Sequence, residues 1–306
     1  MKKGWLFPAF VTEYIGTEVR ILDFLSSDFR DLLVIASEIA GKNLTDFEIR
    51  DCNFLDKEFE NQCVSYVFSC AITDLLKRHN HSADYLSGLS MGIYAALYAG
   101  GSVSFEVGLQ CVKKAYDLSI NGLKDYSFGM AAVIGLTQEE LEAIIRETGD
   151  NVRIVNTNGI HSFVISGVIS EVETAAFKAH SEGAFHSGLM DVTCPYHTDY
   201  MHEIALAFQT YLKNHEINDS SIPIVSVIDQ SMITSQEQIV NELARNLDTK
   251  INWYQTMLKL IHLGVGTFME CGAGKSLYKI GRFIEGEFKI VHINKLPAYI
   301  NRFIKA

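Results

Sequence analysis

The chain has 306 residues, 48% of them hydrophobic and 21% charged, which supplies apolar surface for a sizeable core in one large or two modest domains. Four prolines and 22 glycines exclude a collagen-like or low-complexity chain. With 26 basic against 37 acidic residues the net charge is −11, which opposes long-range attraction to a phosphate backbone and excludes nucleic acid as an expected partner.

The opening Lys2-Lys3, followed by Trp5 to Val11, mimics a secretion signal. Its apolar run is short, contains Pro8 and lacks a small-residue cleavage site before Glu13, so it reads as a buried strand. No run of about 18 apolar residues occurs, so neither a membrane-spanning helix nor a membrane partner is expected. Phe29 to Ala40 carries Leu32, Leu33, Ile35, Ala36 and Ile39 at helical spacing, with Asp28 as the cap. Asn61 to Lys77 repeats the pattern and ends in Lys77-Arg78-His79, a basic turn that suits a helix C-terminus. Asp84 to Ser87 is a short strand, Gly88 to Gly92 a sharp turn, and Ala95 to Ala99 a small-residue helix stopped by Gly100-Gly101. Ser104 caps a further helix from Phe105 to Ile120.

From Gly129 to Val192 the elements alternate as strand, helix, strand, strand, helix, strand. Met130 to Ile134 is the first strand, and Thr137 with Glu140 makes a capping box for the helix to Glu147. Arg153 to Val155 and Phe163 to Ile165 pair around a loop whose turn signal is Asn158-Gly159. Ser170 with Glu173 opens a helix to Glu182, and Ser187 to Val192 closes the unit. This is the split βαβ, or ferredoxin-like, order. It reads as a subdomain of residues 127–193 inserted between the halves 1–126 and 194–306 of a larger domain. Those halves continue as helix 197–214, strand 224–226, helices 236–247 and 252–262, strand 267–269, helix 275–284, strand 290–292 and a last helix. Helices interleaved with short β-branched runs imply an α/β domain with a parallel sheet covered on both faces.

Cys52, Cys63, Cys70, Cys111, Cys194 and Cys271 form no Cys-x-x-Cys pair and sit mostly among apolar residues, as free thiols do in a reducing compartment, so the cytoplasm is expected. Only His79/His81 and His197/His202 approach one another along the chain, without cysteine partners, and no metal is expected.

One motif carries chemistry. Gly88-Leu89-Ser90-Met91-Gly92 fits GxSxG, the strand-to-helix elbow in which glycines permit a strained turn and the serine oxygen projects above the sheet. A strand precedes it and a helix follows, and the elbow sets the Met91 amide at a helix N-terminus, where it can stabilise an oxyanion. The bland alternative is a tight turn. A serine nucleophile needs a base. His197, after Cys194-Pro195-Tyr196 at the start of a helix, is the candidate, against the alternative of a surface capping histidine. His262 and His292 are rivals.

Beyond this elbow, several segments resemble the malonyl-CoA:acyl-carrier-protein transacylase family, the FabD-like acyltransferases, over essentially the whole chain. They are Leu6-Phe7-Pro8, Gly88 to Gly92, Gly129 to Leu136, Val155 to Asn158, Val164 to Gly167, Pro195-Tyr196-His197, Asn252-Trp253 and Glu270 to Lys275. The resemblance implies a hydrolase-like parallel-sheet core with an inserted ferredoxin-like subdomain. It implies a Ser90 acyl-enzyme fed by acyl-CoA, with no bound cofactor, His197 as base, and an acyl carrier protein as acceptor in fatty-acid or polyketide synthesis. It further implies a backbone carbonyl at Asn252 orienting His197, an oxyanion hole from the amides of Phe10 and Met91, and Asn156 and Asn158 beside the site, though those asparagines also read as hairpin-turn residues.

Three positions depart from the family. Phe10 replaces a glutamine, Leu89 a histidine, and Ala115 the arginine that grips the malonyl carboxylate. A lysine cannot copy a bidentate arginine, although Lys113 or Lys114 would supply a cation if the helix register differed by one residue. The apolar replacements favour an uncharged acyl group, and Tyr196 adds bulk that favours a short one. After Cys271 the chain turns basic, with Lys275, Lys279, Arg282, Lys289, Lys295, Arg302 and Lys305 against Glu285 and Glu287, a surface suited to an acidic carrier, or else an ordinary solvated face. Three readings follow: an acyltransferase, an acyl hydrolase that releases short acyl groups from carriers, and a non-catalytic carrier-binding module. A generic α/β-hydrolase esterase is disfavoured by the inserted unit.

Overall fold

A computed structural model describes residues 1–9, 20–22, 28–45 and 57–304, the last four as backbone. The larger sheet contains β1 (Lys2–Phe7), β2 (Tyr85–Gly88), β7 (Ile224–Val225), β8 (Met232–Ile233), β9 (Val265–Glu270) and β10 (Lys289–Val291). Their order is β10-β9-β1-β2-β7-β8, parallel except for β8, which folds back on β7. β1 lies in the interior, and the alternation of its side chains divides the core. Trp5 and Phe7 join the helices on one face, while Leu6 packs with Trp253, Met257 and Phe268 on the other. Both faces are covered, which is why β1 reads as an unbroken apolar run.

The first face carries α1 (Phe29–Ala40), α2 (Glu58–Arg78), α3 (Gly92–Ala99), α4 (Phe105–Gly122) and α7 (His202–Leu212). α2 starts three residues before the expected Asn61, and nearly all of its 21 residues are buried. Ser104 caps α4 as expected, accepting from the Val107 amide. Asp28 makes no side-chain cap on α1 and pairs with Arg78 instead.

The smaller sheet is antiparallel, in the order β4-β5-β3-β6, from β3 (Phe128–Ile134), β4 (Val152–Gly159), β5 (Ser162–Val168) and β6 (His186–Leu189). β5 lies between β3 and β4, the strands connected through α5 (Gln138–Thr148), which is the split βαβ arrangement. All four strands fall within 127–193, and α5 and α6 (Ile169–Ser181) bury Leu141, Ile144, Val172 and Ala175 against Val133 and Ile165. The Thr137–Glu140 capping box is present. The Ser170–Glu173 box is not, because the N-cap of α6 falls two residues earlier, at an extended Val168 with no side-chain cap.

Asn158-Gly159 is not the turn; both residues lie in β4, and the chain reverses at Ile160-His161. A connection to the larger unit accounts for the extension. The Ile251 amide donates to Val155 O at 2.9 Å, and Asn156 bridges to Ile251 in parallel, so the strand is held straight past the turn signal. α8 (Gln236–Asp248), α9 (Trp253–His262), α10 (Ser276–Gly281) and α11 (Leu296–Ile304) complete the α/β fold. Among the described residues no helix is long and apolar enough to cross a membrane.

Candidate active site

Ser90 lies directly after β2, at the carboxyl end of the parallel strands, the edge where open α/β sheets bind ligands. The Leu89 amide donates to Phe7 O at 2.8 Å and the Gly92 amide to Leu89 O at 2.9 Å, so the turn is tied both to β1 and to itself. Ser90 has φ 51, a left-handed conformation costly for a residue with a Cβ. The motif glycines are required by close approach. A Cβ on Gly88 would lie 2.3 Å from Gly92 C and Ile93 N, and one on Gly92 would lie 2.1 Å from Phe7 O. Met91 is the N-cap of α3; the Gly92, Ile93 and Tyr94 amides donate to Leu89 O, Ser90 O and Met91 O, and the Met91 amide lies at the helix N-terminus next to Ser90.

His197 meets this serine: Ser90 Oγ and His197 Nε2 are 2.9 Å apart. Rather than lying in a helix, His197 has φ 65 in the turn before α7, and its amide donates to Leu247 O at 2.7 Å, at the end of α8. It is 5% exposed. Burial pushes its pKa down to about 4, against the opposing pull of the Asn246 and Thr249 carbonyls and the Asp248 charge. The imidazole is therefore neutral near pH 7 and free to accept a proton. Nδ1 is buried with no hydrogen-bond partner among the described residues, while the Asn246 and Thr249 backbone pulls the pKa of the ring upward. No carboxylate bonds the ring among the described residues, since Asp248 holds His202 Nδ1 at 2.9 Å and Thr249 Oγ1 at 2.8 Å.

Asn252 does not orient His197. Its side chain caps α9 by accepting from the Gln255 amide, and its carbonyl accepts from Thr256 N at 3.1 Å and Thr256 Oγ1 at 2.9 Å. The backbone groups that pull the pKa of His197 upward belong to Asn246 and Thr249, which no residue type advertises. The rival histidines lie elsewhere: His262 is exposed at the end of α9, and His292 packs its ring on Tyr278.

A cavity of about 40 Å³ opens beside Ser90. At roughly 10–15 Å³ for one water-sized group, it has room for a short acyl group. Met91, Tyr94, Val112, Ala115 and Leu247 supply its apolar wall, and Tyr116 and Tyr196 narrow it. Gln62 and Asn246 bring amides to it, and Asn246 Nδ2 has no acceptor among the described residues. No charged side chain lines it among the described residues. Lys113 turns to Asp117 at 2.8 Å and Lys114 lies over the Tyr211 ring, so neither takes the place of an arginine here.

Ala115 and Tyr196 are thus at the cavity, but three other expected pocket residues are not. Leu89 points under the elbow into the cluster with Leu6, Val227 and Trp253. Asn156 Nδ2 donates to Asn158 Oδ1 at 2.9 Å, and Asn156 Oδ1 accepts from Trp253 N at 3.4 Å, so both asparagines serve the junction between the sheets. Phe10 lies outside the described residues. Lys275, Lys279 and Arg282 are exposed on and around α10. The preceding loop reaches the catalytic edge: Cys271 N donates to Leu6 O at 2.8 Å, and a Cβ on Gly272 would strike the Pro8 ring. Buried Glu270 anchors α10 by accepting from Leu277 N and Tyr278 N, each at 2.9 Å. Gln62, Tyr94, Val112 and Asn246 were not legible as site residues in the sequence, because buried positions on core helices carry no local motif.

No family model matches the chain. It is similar to the malonyl CoA-acyl carrier protein transacylase of Bacillus subtilis, 26% identical over 297 residues, covering 96% of this chain and 93% of that protein. The Synechocystis protein of the same name is 27% identical over 278 residues, covering 90% and 92%. Among solved structures, the Synechocystis malonyl-CoA:ACP transacylase superposes with a TM-score of 0.86 at 26% identity, over 99% of this chain and 100% of that one. A type II PKS malonyl-transacylase in complex with its acyl-carrier protein shares the fold, with a TM-score of 0.90 at 23% identity over 100% of both chains.

Proposed function

We propose that the protein is an acyltransferase that moves a short, uncharged acyl group from acyl-CoA to an acyl carrier protein through an ester on Ser90. The observation that carries this reading is the 2.9 Å contact between Ser90 Oγ and the neutral, buried His197 Nε2, with both residues held in left-handed turns at one edge of the sheet. His197 Nε2 takes the Ser90 proton as Oγ bonds to the thioester carbonyl carbon. The oxyanion is then stabilised by the Met91 amide. Collapse breaks the carbon–sulfur bond, and the departing CoA thiolate takes the proton from His197. In the second half-reaction His197 deprotonates the carrier's thiol, the thiolate attacks the ester carbon, and Ser90 leaves with the proton returned. The sequence is ping-pong and needs no resident cofactor.

The similarity to malonyl transacylases supports the reaction, and the cavity supports a change of acyl group. An arginine-to-alanine departure at Ala115, apolar walls and the absence of a lining cation among the described residues give a malonyl carboxylate no partner there, and burying an unpaired carboxylate costs several kcal/mol. We further take 1–126 and 194–306 as the acyltransferase domain and 127–193 as its inserted subdomain, with the basic surface around α10 receiving the acidic carrier. The five cysteines among the described residues are free and buried, which suits the reducing cytoplasm.

The test is to incubate the protein with acetyl-CoA and, separately, malonyl-CoA, and to read its mass before and after adding carrier protein. An acetyl adduct that is absent in Ser90→Ala and passes to the carrier is expected. Decay of the adduct to free acid faster than transfer would establish the hydrolase reading instead. No adduct from any thioester, in wild type as in Ser90→Ala, would leave only the carrier-binding module.

A further inference from the structure

One carboxyl beside the cavity has no part in the transfer chemistry. Glu58, the first residue of α2, is 1% exposed. Its Oε1 accepts from Gln62 Nε2 at 3.2 Å, and its Oε2 accepts from Thr193 N at 3.2 Å and Thr193 Oγ1 at 2.9 Å. Three donors on one carboxyl suit the ionised form, which only accepts. Among the described residues no lysine, arginine or histidine forms a salt bridge with it, and of the two lysines of α4, Lys113 pairs with Asp117 and Lys114 lies over the Tyr211 ring. A buried negative charge therefore stands behind Gln62, and Gln62 lines the cavity.

An ionised Glu58 would act on two tyrosines of the cavity wall. The Tyr116 phenol is pushed up to about 12, first by burial and next by Glu58, and Tyr196 is raised by burial with Cys194 and Glu58 adding to it. Burial also raises the pKa of Glu58 itself, opposed by the three hydrogen bonds. We infer that Glu58 sets the charge preference of the cavity, disfavouring acyl groups with a second carboxylate while leaving neutral ones unaffected, and that it acts through Gln62 as a positioning residue. The inference rests on the acyl-transfer reading above and goes beyond it. The absence of an arginine only withholds attraction from a malonyl group, whereas Glu58 repels it, and like charges at a partly buried site discriminate by tenfold or more at an effective dielectric of about 20.

The alternative is that Glu58 merely ties α2 to the strand-side segment at Thr193. The two roles separate in the ratio of acylation rates. Glu58→Gln keeps the shape and one acceptor while removing the charge, and single-turnover acylation of Ser90 is measured with malonyl-CoA and acetyl-CoA. The malonyl-to-acetyl ratio is expected to rise about tenfold, while acetylation stays within about twofold, and Glu58→Asp is expected to keep the wild-type ratio. An unchanged ratio in folded Glu58→Gln, or equal losses with both thioesters, overturns the proposal.

A measurement on wild type covers the case in which the variant does not fold. Malonyl-CoA is compared with the CoA thioester of malonic acid monoamide, of the same size but neutral. Equal rates overturn the charge filter. Failure of every thioester to acylate Ser90 removes the acyl-transfer reading, a result distinct from acylation without charge discrimination.

Discussion

At the elbow and the histidine turn the backbone determines the outcome, whereas in the cavity beside them the side chains do. Ser90 and His197 both hold positive φ, Gly88 and Gly92 have no space for a Cβ, and the imidazole is addressed by main-chain carbonyls. The cavity is walled by Tyr94, Val112, Ala115 and Tyr196, each replaceable without breaking a backbone hydrogen bond. A site made of backbone geometry tolerates little change, so its chemistry persists as sequences diverge. A wall made of side chains can change the acyl group while the reaction stays the same. That contrast separates the serine–histidine pair from the cavity beside it, which no charged side chain lines among the described residues.

The sharpest way to break this contrast is at Gly92. A methyl group there meets Phe7 O and forces the elbow off β1. A displacement of about 1 Å at the nucleophile costs on the order of 100-fold in rate, and overpacking costs about 1–3 kcal/mol in stability. Gly92→Ala is expected to lose at least about 100-fold in Ser90 acylation with every acyl-CoA alike, in single-turnover mass measurements, with a lower thermal midpoint. Acylation at the wild-type rate would mean that the glycine is not what positions Ser90.

The cavity should behave in the opposite way, changing preference rather than rate. Val112→Ala removes two methyl groups from the cavity wall, and one methylene in an apolar pocket is worth about 10- to 200-fold in discrimination. The butyryl-to-acetyl ratio of acylation rates is expected to rise by about tenfold, with acetylation itself little changed. A uniform loss with both thioesters would place Val112 among the structural supports of the elbow.

The pH profile sharpens the catalytic half. His197 is held at about 4, below the ordinary 6.5, so the neutral base persists as pH falls until the folded-state value is reached. Between about pH 7 and pH 5.5 the acylation rate is expected to change less than about twofold, whereas an unperturbed imidazole would lose about tenfold over the same interval. An inflection near pH 6.5 would show that the ring is solvated in the working enzyme.

These two regions were also unequally legible in the sequence. Gly88 to Gly92 announced itself because steric exclusion writes glycines at fixed spacing, and the strand and helix around it followed from period alone. The order of elements from 128 to 189 was readable because strand and helix periods differ and capping boxes such as Thr137 with Glu140 mark the boundary. Asn246 was hidden because a carbonyl has no identity, and the neighbouring Asn252, on a matching segment, turned out to be a helix cap. Gln62 and Glu58 were hidden because α2 is buried almost all round, which removes the polar face that would have marked its first turn. Asn158-Gly159 misled because a long-range pairing to Ile251 outweighed a local turn preference.

The smallest expected effect lies at the carrier surface, and it separates the two half-reactions. Lys279 and Arg282 are exposed beside Phe283, which is 70% exposed, and the loop leading into α10 touches the catalytic edge at Pro8. Charges placed there steer an acidic partner without touching the acyl-enzyme, and exposed pairs contribute only about 0.2–1 kcal/mol each. The double reversal Lys279→Glu with Arg282→Glu is therefore expected to slow transfer from acyl-Ser90 to the carrier by about three- to tenfold at low salt. Because the Debye length falls to about 8 Å at physiological ionic strength, the difference from wild type should narrow as salt is raised. Formation of the acyl-enzyme from acyl-CoA should stay unchanged in the same variant. A loss confined to that first step would instead assign the basic surface to the phosphates of CoA, leaving the carrier to dock on another face of the same edge.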